Sequence, residues 1–582
     1  MVLKNRDSCW SMDGEISASE AVIRVLEEAG IDMVFGVPGG NTGFIFRALR
    51  DHQESIRTIL VRHESAASIM AEIYGRLTGK PGIAIGQGVA MLSNGLMGVL
   101  EASASSSPML ILTDLGDRYP FSHHGPYQGV VGEYGNVDAK RSFGGVTKAT
   151  MTPLNGPQAV QCTQLGLKHA LAGERGPVAI LYHSKAITDH VGPNSIPRLY
   201  PTKYYLTKTP ASADQSSVMD VGQMLLEAKH PLIIAGNGVH ISQAYSELQN
   251  LSEMLGAPVT TTQSGKGCFN ESHDLALGVF GRFGDTIANT FVGKADLILV
   301  VGSKLAPHDT CNAHKDLLDP ERQTLVQIDI ETRNAAWTYP IEHVLFGDAK
   351  IVLSQLIKSL EMKGKPTPEV VKERCQQLQS ARQKYGYFNA PYSNSDVSPI
   401  HPQRIVKEIS DAVNDDALIV CDAGENRLFM MRYFQTKAPG TFLQHTGCGL
   451  MGYGIPAAIV SKLIYPKRQV VAVCGDGDFG MSLFNLMTAY QYNIPIVVVV
   501  FNNSALGWVK HAQGERNLAV DFPNHDCADI ARAMGCNGVR IERPENLPDA
   551  LYNALNSAKP TLLDVCTSLE EKYQDIISPL FR

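Results

Sequence analysis

Short apolar runs alternate with longer amphipathic stretches along most of the chain, and this alternation predicts an α/β fold. Each run ends at glycine or a small polar residue, as a buried strand of a parallel sheet does before its turn. The stretches between the runs have the spacing of helices that cover a sheet. The runs predicted as strands are DMVFGVPGG, RTILVRHE, GIAIGQG, MLILTDLG, PLIIAGNG, PVTTT, DLILVVGS, TLVQIDI, ALIVCDAG, QVVAVCGDG, IPIVVVVFNN and PTLLDVC.

The runs fall into three blocks, which we take as three parallel-sheet α/β domains at 1–190, 211–360 and 396–582. A proline-rich passage, HVGPNSIPRLYPTKYYLTKTPAS, is predicted to link the first two blocks. A polar connection from EMKGKPTPEVVKERCQQ to APYSNSDVSPIHP leads into the third. The first and third blocks look like the same kind of unit, because both have glycine-rich turns where strands end.

Composition narrows the class of partner. The 582 residues carry a net charge of −7, with 44% hydrophobic and 19% charged residues. This balance gives no reason to expect nucleic acid or an anionic membrane surface, and the apolar runs are too short to span a bilayer. The N-terminal MVLKNRDSCWSMDGE lacks the apolar core of a signal peptide. We therefore expect a cytoplasmic protein that acts on small molecules.

The stretch VVAVCGDGDFGMSLFNLMTAY contains Gly475, Gly477 and Gly480 directly after a strand, in the G-x-G-x-x-G pattern of a dinucleotide site. A nicotinamide site needs an acid at the end of the next strand, about 20 residues on. That strand ends in Asn502 and Asn503 instead. Asp476 and the amide of Asn503, at the tips of neighbouring strands, offer the oxygen ligands that Mg2+ prefers. The pattern therefore indicates a diphosphate held by glycine N–H groups and a magnesium ion.

The stretch GDGDFGMSLFNLMTAYQYNIPIVVVVFNN resembles the diphosphate–metal motif of thiamine-diphosphate enzymes. The resemblance extends over nearly the whole chain and is nearest to the acetolactate synthase (acetohydroxyacid synthase large subunit)-like branch. It implies that the blocks are pyrimidine-binding, central and diphosphate-binding domains. It also implies that Mg2+ is held by Asp476, Asn503 and the backbone carbonyl of Ala505.

The same resemblance assigns roles at both ends of the coenzyme. Glu64, in LVRHESAA, becomes the catalytic acid at the pyrimidine, although alone it could merely compensate charge at a helix start. Met451 becomes the apolar support of the bent coenzyme, although alone it could be ordinary core. The cofactor-binding residues implied are Gly424, Asn426, Gly449, Met451, Gly475, Gly477 and Asp478. The superfamily also implies a homodimer or homotetramer with active sites at the subunit interface.

A thiamine-diphosphate enzyme of this branch decarboxylates a 2-oxo acid to an enamine and joins it to a second carbonyl, as a transferase or lyase. The alternative is a non-ligating decarboxylase that releases an aldehyde. The sequence departs from acetolactate synthases at Gln87 and Met91, which replace a proline and an asparagine. It also has Ala512 near the place of their substrate-selecting tryptophan, while Trp508 lies before Val509. We therefore expect a differently shaped substrate pocket.

Three further features are interpreted from local motifs. The pair His123-His124 resembles the proton-relaying histidines of pyruvate decarboxylases, although such a pair in a polar loop could also face solvent. GPYQ resembles an acetolactate synthase loop and adds Gln128 to the candidate catalytic residues. Lys510 and His511 could reach the pocket or lie on an exposed helix face, and we expect the exposed face.

The central block has the layout of the region that binds FAD in acetolactate synthases. Its Arg282-Phe283 and Lys304 differ from the usual FAD contacts, so FAD, another adenine nucleotide and an empty fold all stay open. Two other classes are disfavoured. Asn502-Asn503 speak against a nicotinamide oxidoreductase, and an intact Glu64 and Asp476 speak against a catalytically silent paralogue.

Overall fold

The computed structural model describes residues 14–119, 127–133, 135–206 and 209–581. These residues divide into two compact units, one that ends at Thr209 and one that begins at Pro210. The central and C-terminal thirds of the chain belong to the same unit. The domain boundaries expected from the sequence stay a prediction.

The N-terminal unit is built on a six-stranded parallel sheet in the order β3-β2-β4-β5-β7-β6. A short antiparallel pair joins β1 to β8, so the start of the predicted linker is a strand. The elements are β1 Ile16–Ser17, α1 Ala18–Glu28, β2 Met33–Gly36, α2 Gly43–Leu49, β3 Arg57–Leu60, α3 Glu64–Thr78, β4 Gly82–Ile85, α4 Gly88–Ser93, α5 Leu96–Ala104, β5 Met109–Asp114, α6 Ala139–Gly144, β6 Ala149–Met151, α7 Gly156–Leu171, β7 Pro177–Tyr182, α8 Ser184–Thr188 and β8 His190–Val191.

The middle part of the chain forms a second six-stranded parallel sheet, in the order β11-β10-β9-β12-β13-β14. Apolar clusters cover both of its faces. The elements are α9 Gln215–Glu227, β9 Pro231–Ala235, α10 Asn237–Ser242, α11 Tyr245–Leu255, β10 Val259–Thr261, β11 Ala276–Val279, α12 Thr286–Lys294, β12 Leu297–Val301, β13 Thr324–Asp329, β14 His343–Phe346, α13 Ala349–Lys363 and α14 Pro368–Tyr385. Helix α14 occupies the predicted polar connection and buries Leu378 in one of these clusters.

The C-terminal part carries a third six-stranded parallel sheet, in the order β16-β15-β17-β18-β20-β19. Counted from its own first strand, this order matches the N-terminal sheet, which confirms that the two blocks are one kind of unit. The elements are α15 Pro402–Ala412, β15 Leu418–Cys421, α16 Glu425–Tyr433, β16 Phe442–Gln444, α17 Gly454–Ile464, β17 Val470–Gly475, α18 Asp476–Ser482, α19 Asn485–Gln491, β18 Val497–Asn502, α20 Gly507–Gln513, α21 Cys527–Ala533, β19 Asn537–Ile541, α22 Leu547–Leu555 and β20 Thr561–Cys566.

All twelve runs predicted as strands contain a strand, and the fold is the α/β architecture that the sequence predicts. The strands are apolar on both faces because helices cover both sides of each sheet. In a parallel sheet the carboxyl ends of all strands lie at one edge, so the turns that follow them can form a site there.

Candidate functional site

Two neighbouring strands bring the predicted metal ligands together. Strand β17 ends at Gly475 and is followed by Asp476, while β18 ends at Asn502 and is followed by Asn503. The two strands pair in parallel, with Gly475 opposite Phe501. The sequence prediction that these strand ends are adjacent is confirmed.

The turns around these strand ends enclose a cavity of about 300 Å3. Every cofactor or metal residue predicted from the third block lines it, although these residues come from four separate turns. They are Gly424, Asn426, Gly449, Met451, Gly475, Asp476, Gly477, Asp478, Asn503 and Ala505. One cavity therefore collects a set that the sequence spreads over some eighty positions.

The Asp476 carboxylate is the least satisfied acid in this cavity. Its Oδ1 accepts from the Gly477 N–H at 2.8 Å, but its buried Oδ2 has no hydrogen-bond partner among the described residues. The N–H groups of Ser504 and Ala505 donate to the side chains of Asn502 and Asn503, at 3.3 and 3.1 Å, and they also lie near enough to the Asp476 carboxylate to lower its pKa. Burial raises the pKa of Asp476 to about 6, against the lowering effect of backbone N–H groups. A buried carboxylate oxygen without a donor suits a cation.

The remaining ligands of such a cation are an amide and a carbonyl rather than further acids. Among the described residues, no group of three or more histidine, cysteine, aspartate or glutamate side chains is arranged to hold a metal. The site predicted from the sequence needs only the carboxylate of Asp476, so its donor set fits a hard divalent cation that keeps water.

Glycines keep the cavity open. A Cβ on Gly477 would lie 2.8 Å from Leu506 Cδ2 and 3.1 Å from Met451 Cε. Gly424 and Gly449 have φ angles of 89° and 63°, which L side chains rarely adopt. The backbone at these positions is therefore exposed to a ligand in a way that a larger residue would prevent.

Asp478 and Asn426 organise the cavity wall. Asp478 Oδ2 accepts from the Gly475 N–H at 2.8 Å and from Asn426 Nδ2 at 3.2 Å. Burial, and then the charge of Asp422, raise the pKa of Asp478 well above its usual range. Asn426 Oδ1 is buried and has no partner in the part of the chain that the structure describes. Asp478 thus holds the turn, while the Asn426 oxygen is left for a ligand donor.

Asp422 supports the cavity from behind its lining and is absent from the residues predicted from the sequence. Its Oδ1 accepts from the Gly452 N–H at 2.9 Å, and its Oδ2 from the Gly454 N–H at 2.7 Å. It thereby fastens the loop that carries Gly449 and Met451 to the end of β15. Burial raises the pKa of Asp422 to about 6, although these N–H groups lower it. The available signal was an aspartate directly after a buried strand, in CDAGEN.

In the N-terminal unit, Glu64 begins α3 just beyond β3, at the carboxyl edge of its sheet. Its Oε2 accepts from Asn94 Nδ2 at 3.1 Å. Met91, one of the departures from acetolactate synthases, is fully buried, and a Cβ on Gly86 would lie 2.8 Å from its sulfur. The same Cβ would lie 3.5 Å from Glu64 Cγ, so Met91 and Glu64 both approach the turn at Gly86.

Gln128 lies at the same edge of the N-terminal sheet, beyond β5. Its φ is 61°, and its carbonyl oxygen would lie 2.2 Å from a Cβ on Gly116. Tyr127 is 72% exposed. His123 and His124 lie outside the described residues, so their role stays a prediction.

The expectation that His511 lies on an exposed helix face is wrong. His511 Nδ1 lies 2.7 Å from Glu425 Oε1, and its Nε2 lies 3.0 Å from the Leu569 carbonyl oxygen. The hydrogen bond to Glu425 raises the pKa of His511, against the effect of burial. Lys510 pairs with Asp521 at 2.5 Å and is partly exposed. In the same helix, Trp508 lines the cavity and stacks on Tyr573, with ring centroids 4.8 Å apart.

Within the described residues, every helix is too short or too polar to cross a bilayer.

Comparison with known proteins gives three family matches in chain order. Residues 16–133 match the thiamine pyrophosphate enzyme N-terminal TPP binding domain, and residues 218–356 match the central domain of these enzymes. Residues 422–565 match their C-terminal TPP binding domain. Each match contains one of the three sheets, wholly or in part.

Similar proteins of known name match nearly the whole chain. A "Probable acetolactate synthase large subunit" of Methanococcus aeolicus is 31% identical, over 94% of this chain and 92% of its own length. The acetolactate synthase isozyme 3 large subunit of Escherichia coli is 28% identical, over 94% of this chain and 93% of its own length. The acetolactate synthase large subunit of Parasynechococcus marenigrum is 28% identical, over 97% and 90%.

Proposed function

The chain belongs to the thiamine pyrophosphate enzymes, and on that premise we propose that it is a thiamine-diphosphate and Mg2+ dependent lyase or carboligase acting on a 2-oxo acid. In this reaction the 2-oxo acid is decarboxylated and the remaining acyl carbon is joined to a second carbonyl compound. The names of the similar proteins support an acetolactate synthase-like outcome.

The cavity with the unsatisfied Asp476 oxygen carries this proposal. Asp476, Asn503 and the carbonyl of Ala505 would hold Mg2+, and the glycine turns at 424, 475 and 477 would hold the diphosphate. Met451 and the carbonyl of Gly449 would face the coenzyme rings. When bound, thiamine diphosphate supplies the carbon nucleophile and electron sink that decarboxylation requires.

Glu64 is the acid assigned to the coenzyme's pyrimidine, and it lies in the other compact unit of the chain. It would hold and exchange a proton at the pyrimidine nitrogen, as a general acid within hydrogen-bond reach does. His123, His124 and Gln128 are the candidates for proton transfer and orientation at the substrate. We propose that Glu64 of one subunit serves the cavity of a second, so that a homodimer is the minimal active unit and a homotetramer is compatible.

Mixing two inactive chains tests this arrangement. Differently tagged Glu64→Gln and Asp476→Ala chains are co-expressed and the mixed dimer is isolated. Sites shared between subunits give the mixed dimer one intact site and about half of the wild-type turnover. A mixed dimer as inactive as its parents contradicts the shared site.

Non-ligating decarboxylation to an aldehyde is the second candidate. It is favoured by the departures at Gln87 and Met91, and by Ala512, which is exposed and outside the cavity lining. Ala512, near the place of the substrate-selecting tryptophan of acetolactate synthases, thus does not line this cavity, whereas Trp508 does.

A nucleotide in the middle domain, FAD among the candidates, is a separate proposal. The order of its sheet is that of dinucleotide-binding folds, with the switch point between β9 and β12. The turns that follow β9 and β12 lie close together there, since a Cβ on Gly236 would lie 2.4 Å from the Gly302 carbonyl oxygen. The absorption spectrum of the purified protein, and of the supernatant after denaturation, decides between a flavin, a colourless nucleotide and an empty fold.

The reaction is tested by incubating the holoenzyme with pyruvate and a panel of other 2-oxo acids and trapping the covalent coenzyme adducts. Acetolactate or acetoin from pyruvate identifies a ligase, and acetaldehyde a decarboxylase. Absence of CO2 release and of adducts across the panel, with coenzyme and Mg2+ shown to be bound, refutes the proposed function.

A further inference from the structure

A buried aspartate behind the cavity fastens the strand that leads to the predicted metal ligands. Asp564 lies on β20, the strand beside β18, and its side chain is fully buried. Its Oδ1 accepts from Asn502 Nδ2 at 2.8 Å. Its Oδ2 accepts from Arg540 Nη1 at 2.8 Å and from the Cys527 N–H at 3.0 Å. Because each of these three partners is a donor, the side chain is a carboxylate that accepts on both oxygens.

The side chain of Asn502 connects this carboxylate to the turn after β18. Its Nδ2 donates to Asp564 and, at 3.0 Å, to the His525 carbonyl oxygen. Both partners are acceptors, so the amide nitrogen faces them and the amide oxygen faces the other way. There, Asn502 Oδ1 accepts from the Ser504 N–H at 3.3 Å. The orientation of one amide, set by Asp564, therefore decides whether the turn meets an acceptor or a second donor.

The turn after β18 needs such support. Ser504 has a φ of 56°, a left-handed conformation that a residue with a side chain keeps only when its surroundings hold it. It lies between Asn503 and Ala505, the two residues of this turn that are predicted to bind Mg2+. The Ser504 carbonyl oxygen accepts from the Phe522 N–H at 2.8 Å, and Ala505 pairs with Asp521 in an antiparallel bridge. A small shift at Ser504 would therefore move both ligands.

The segment that braces this turn, residues 520–525, is tied to the same aspartate at its far end. Arg540, the cation paired with Asp564, also donates from Nη1 to the His525 carbonyl oxygen at 3.3 Å. Asp564 thus holds both supports of the turn, the amide directly and the segment through its paired arginine. Asp564 itself is outside the cavity lining, so it acts on a ligand only through these contacts.

We propose that Asp564 is a positioning residue of the metal site, which holds the turn of Asn503 and Ala505 in the geometry that Mg2+ requires. The inference rests on the proposed function, because it takes these two residues as ligands of the cation. Mg2+ demands near-octahedral ligands at about 2.1 Å, whereas Ca2+ accepts longer bonds and irregular geometry. A firmly held turn therefore favours Mg2+, and a loosened turn should bind Mg2+ less selectively.

Asp564→Asn changes the turn while it keeps the volume of the side chain. Arg540 and the Cys527 N–H bind the remaining oxygen, so the new N–H2 group faces Asn502. The Asn502 amide then turns its oxygen toward position 564 and its own N–H2 group toward the Ser504 N–H. The turn meets a donor in place of an acceptor, and its left-handed residue is no longer held on that side.

Cation binding measures the consequence without turnover. The metal-free protein is titrated calorimetrically with Mg2+ or with Ca2+ in the presence of thiamine diphosphate, and the titration of coenzyme alone is subtracted. In Asp564→Asn we expect the Mg2+ affinity to fall about tenfold or more, as when other partners of metal ligands are replaced. The Ca2+ affinity should fall less, so that the ratio of the two dissociation constants changes by about threefold or more.

Two further comparisons separate positioning from charge and from fold. Loss of one negative charge weakens both divalent cations equally, so only the ratio reports geometry. Asp296→Asn makes the same replacement in the middle domain, where the carboxylate accepts from the Lys229 and His230 N–H groups at 2.7 and 2.8 Å. It should leave both affinities within about twofold of wild type, because distant sites do not couple. In an Asn502→Ala background, Asp564→Asn should weaken Mg2+ binding by about threefold at most, since the direct route is already gone.

Urea unfolding of the metal-free proteins shows which variants are folded. If Asp564→Asn does not fold, Asp564→Ser combined with Arg540→Met removes the carboxylate together with its cation and takes its place, with the same expected loss. The positioning role is overturned if a folded Asp564 variant binds Mg2+ within about twofold of wild type, or if the Mg2+ and Ca2+ affinities fall by the same factor.

Failure of the proposed function has a different signature. If no 2-oxo acid reacts but the selectivity for Mg2+ over Ca2+ falls as expected, the positioning role stands and the proposed reaction fails. If 2-oxo acids react and the Asp564 variants keep the wild-type selectivity, only the positioning role fails. A wild-type protein that binds neither cation in the presence of thiamine diphosphate overturns both.

Discussion

The buried Lys266–Glu271 pair joins the middle domain to the C-terminal one and offers the sharpest test of what holds the cavity wall. Lys266 is 1% exposed, and its Nζ donates to Glu271 Oε1 and Oε2 at 2.8 and 2.7 Å and to the Phe434 carbonyl at 3.0 Å. The rings of Phe388 and Phe442 lie 5.1 Å from Nζ. Phe442 begins β16, the strand that leads into the loop of Gly449 and Met451.

Replacing Lys266 by methionine keeps the volume and the apolar stem but leaves Glu271 buried without its cation. Removing one partner of a buried ion pair lowers the free energy of unfolding by about 3–5 kcal/mol. Burial lowers the pKa of Lys266, against the opposing effect of Glu271, so the ammonium depends on its partner. With a urea m value of about 3 kcal/mol per M, the unfolding midpoint of Lys266→Met should fall by about 1 to 1.7 M.

A double variant provides the matched control. Glu271 also accepts from the Thr436 N–H at 2.7 Å, so Glu271→Gln removes the charge and keeps that acceptor. Lys266→Met with Glu271→Gln contains no buried charge at this place and should be more stable than Lys266→Met alone by about 2 kcal/mol.

Urea unfolding followed by tryptophan fluorescence and far-ultraviolet circular dichroism measures Lys266→Met, Glu271→Gln and the double variant. The reasoning is refuted if Lys266→Met costs less than about 1 kcal/mol, as an exposed ion pair would. It is equally refuted if the effects of the two single substitutions simply add, because then the charges do not interact.

Glu64→Gln should lower kcat by at least about 100-fold while coenzyme affinity changes little, whereas Asp476→Ala should weaken coenzyme binding in Mg2+ about tenfold or more. Kinetics and calorimetry check both; near-normal turnover in the first, or unchanged affinity in the second, contradicts the assigned role. Asp422→Asn turns an amide N–H2 group toward backbone N–H donors, so it should lower the free energy of unfolding by about 2 kcal/mol and weaken coenzyme binding. Wild-type stability together with wild-type coenzyme affinity would contradict the role of Asp422 in fastening the loop. Burial lowers the pKa of His52, but hydrogen bonds to Glu27 and Glu20 raise it above its ordinary value of 6.5. The stability that protonated His52 gives to the folded state is therefore complete below pH 6.5 and is lost as the pH rises through the raised pKa. His52→Gln should therefore lower stability by about 0.5 kcal/mol at pH 5.5 and by less at pH 8.5, and equal losses at both values would contradict the pairing.

The sequence was sufficient for the parts of the fold that are locally encoded. Interior strands such as Val497–Asn502 are apolar on both faces, and this composition is visible without a partner. Of the strands not predicted, five lie at sheet edges: Ala149–Met151, Ala276–Val279, His343–Phe346, Phe442–Gln444 and Asn537–Ile541. Several of these are only partly buried, so their pattern resembles that of a loop. Strand Pro177–Tyr182 lies inside its sheet and has the apolar pattern, and it was still not predicted.

The candidate site was predictable to the extent that it follows strand ends. A parallel sheet collects the turns after its strands at one edge, so motifs far apart in sequence become neighbours without any knowledge of packing. Contacts between side chains on different elements have no such signal. The contacts of His511 with Glu425 and of Phe283 with Trp508 depend on how helices and domains pack. Contacts of this kind are therefore visible only in the structure.

Three strand-end aspartates show why residue type alone does not identify a metal ligand. Asp114 accepts from Gly88 and Asn41 N–H groups at 2.7 and 2.8 Å, one on each oxygen, and Asp422 likewise uses both oxygens to hold a neighbouring loop. Burial raises the pKa of all three acids. Asp476 alone among them keeps one buried oxygen without a donor, and that oxygen belongs to the residue lining the cavity. A carboxylate with donors on both oxygens positions backbone, whereas one with a free buried oxygen can accept a cation. The candidate magnesium site is therefore distinguished by an unpaired oxygen rather than by the aspartate itself.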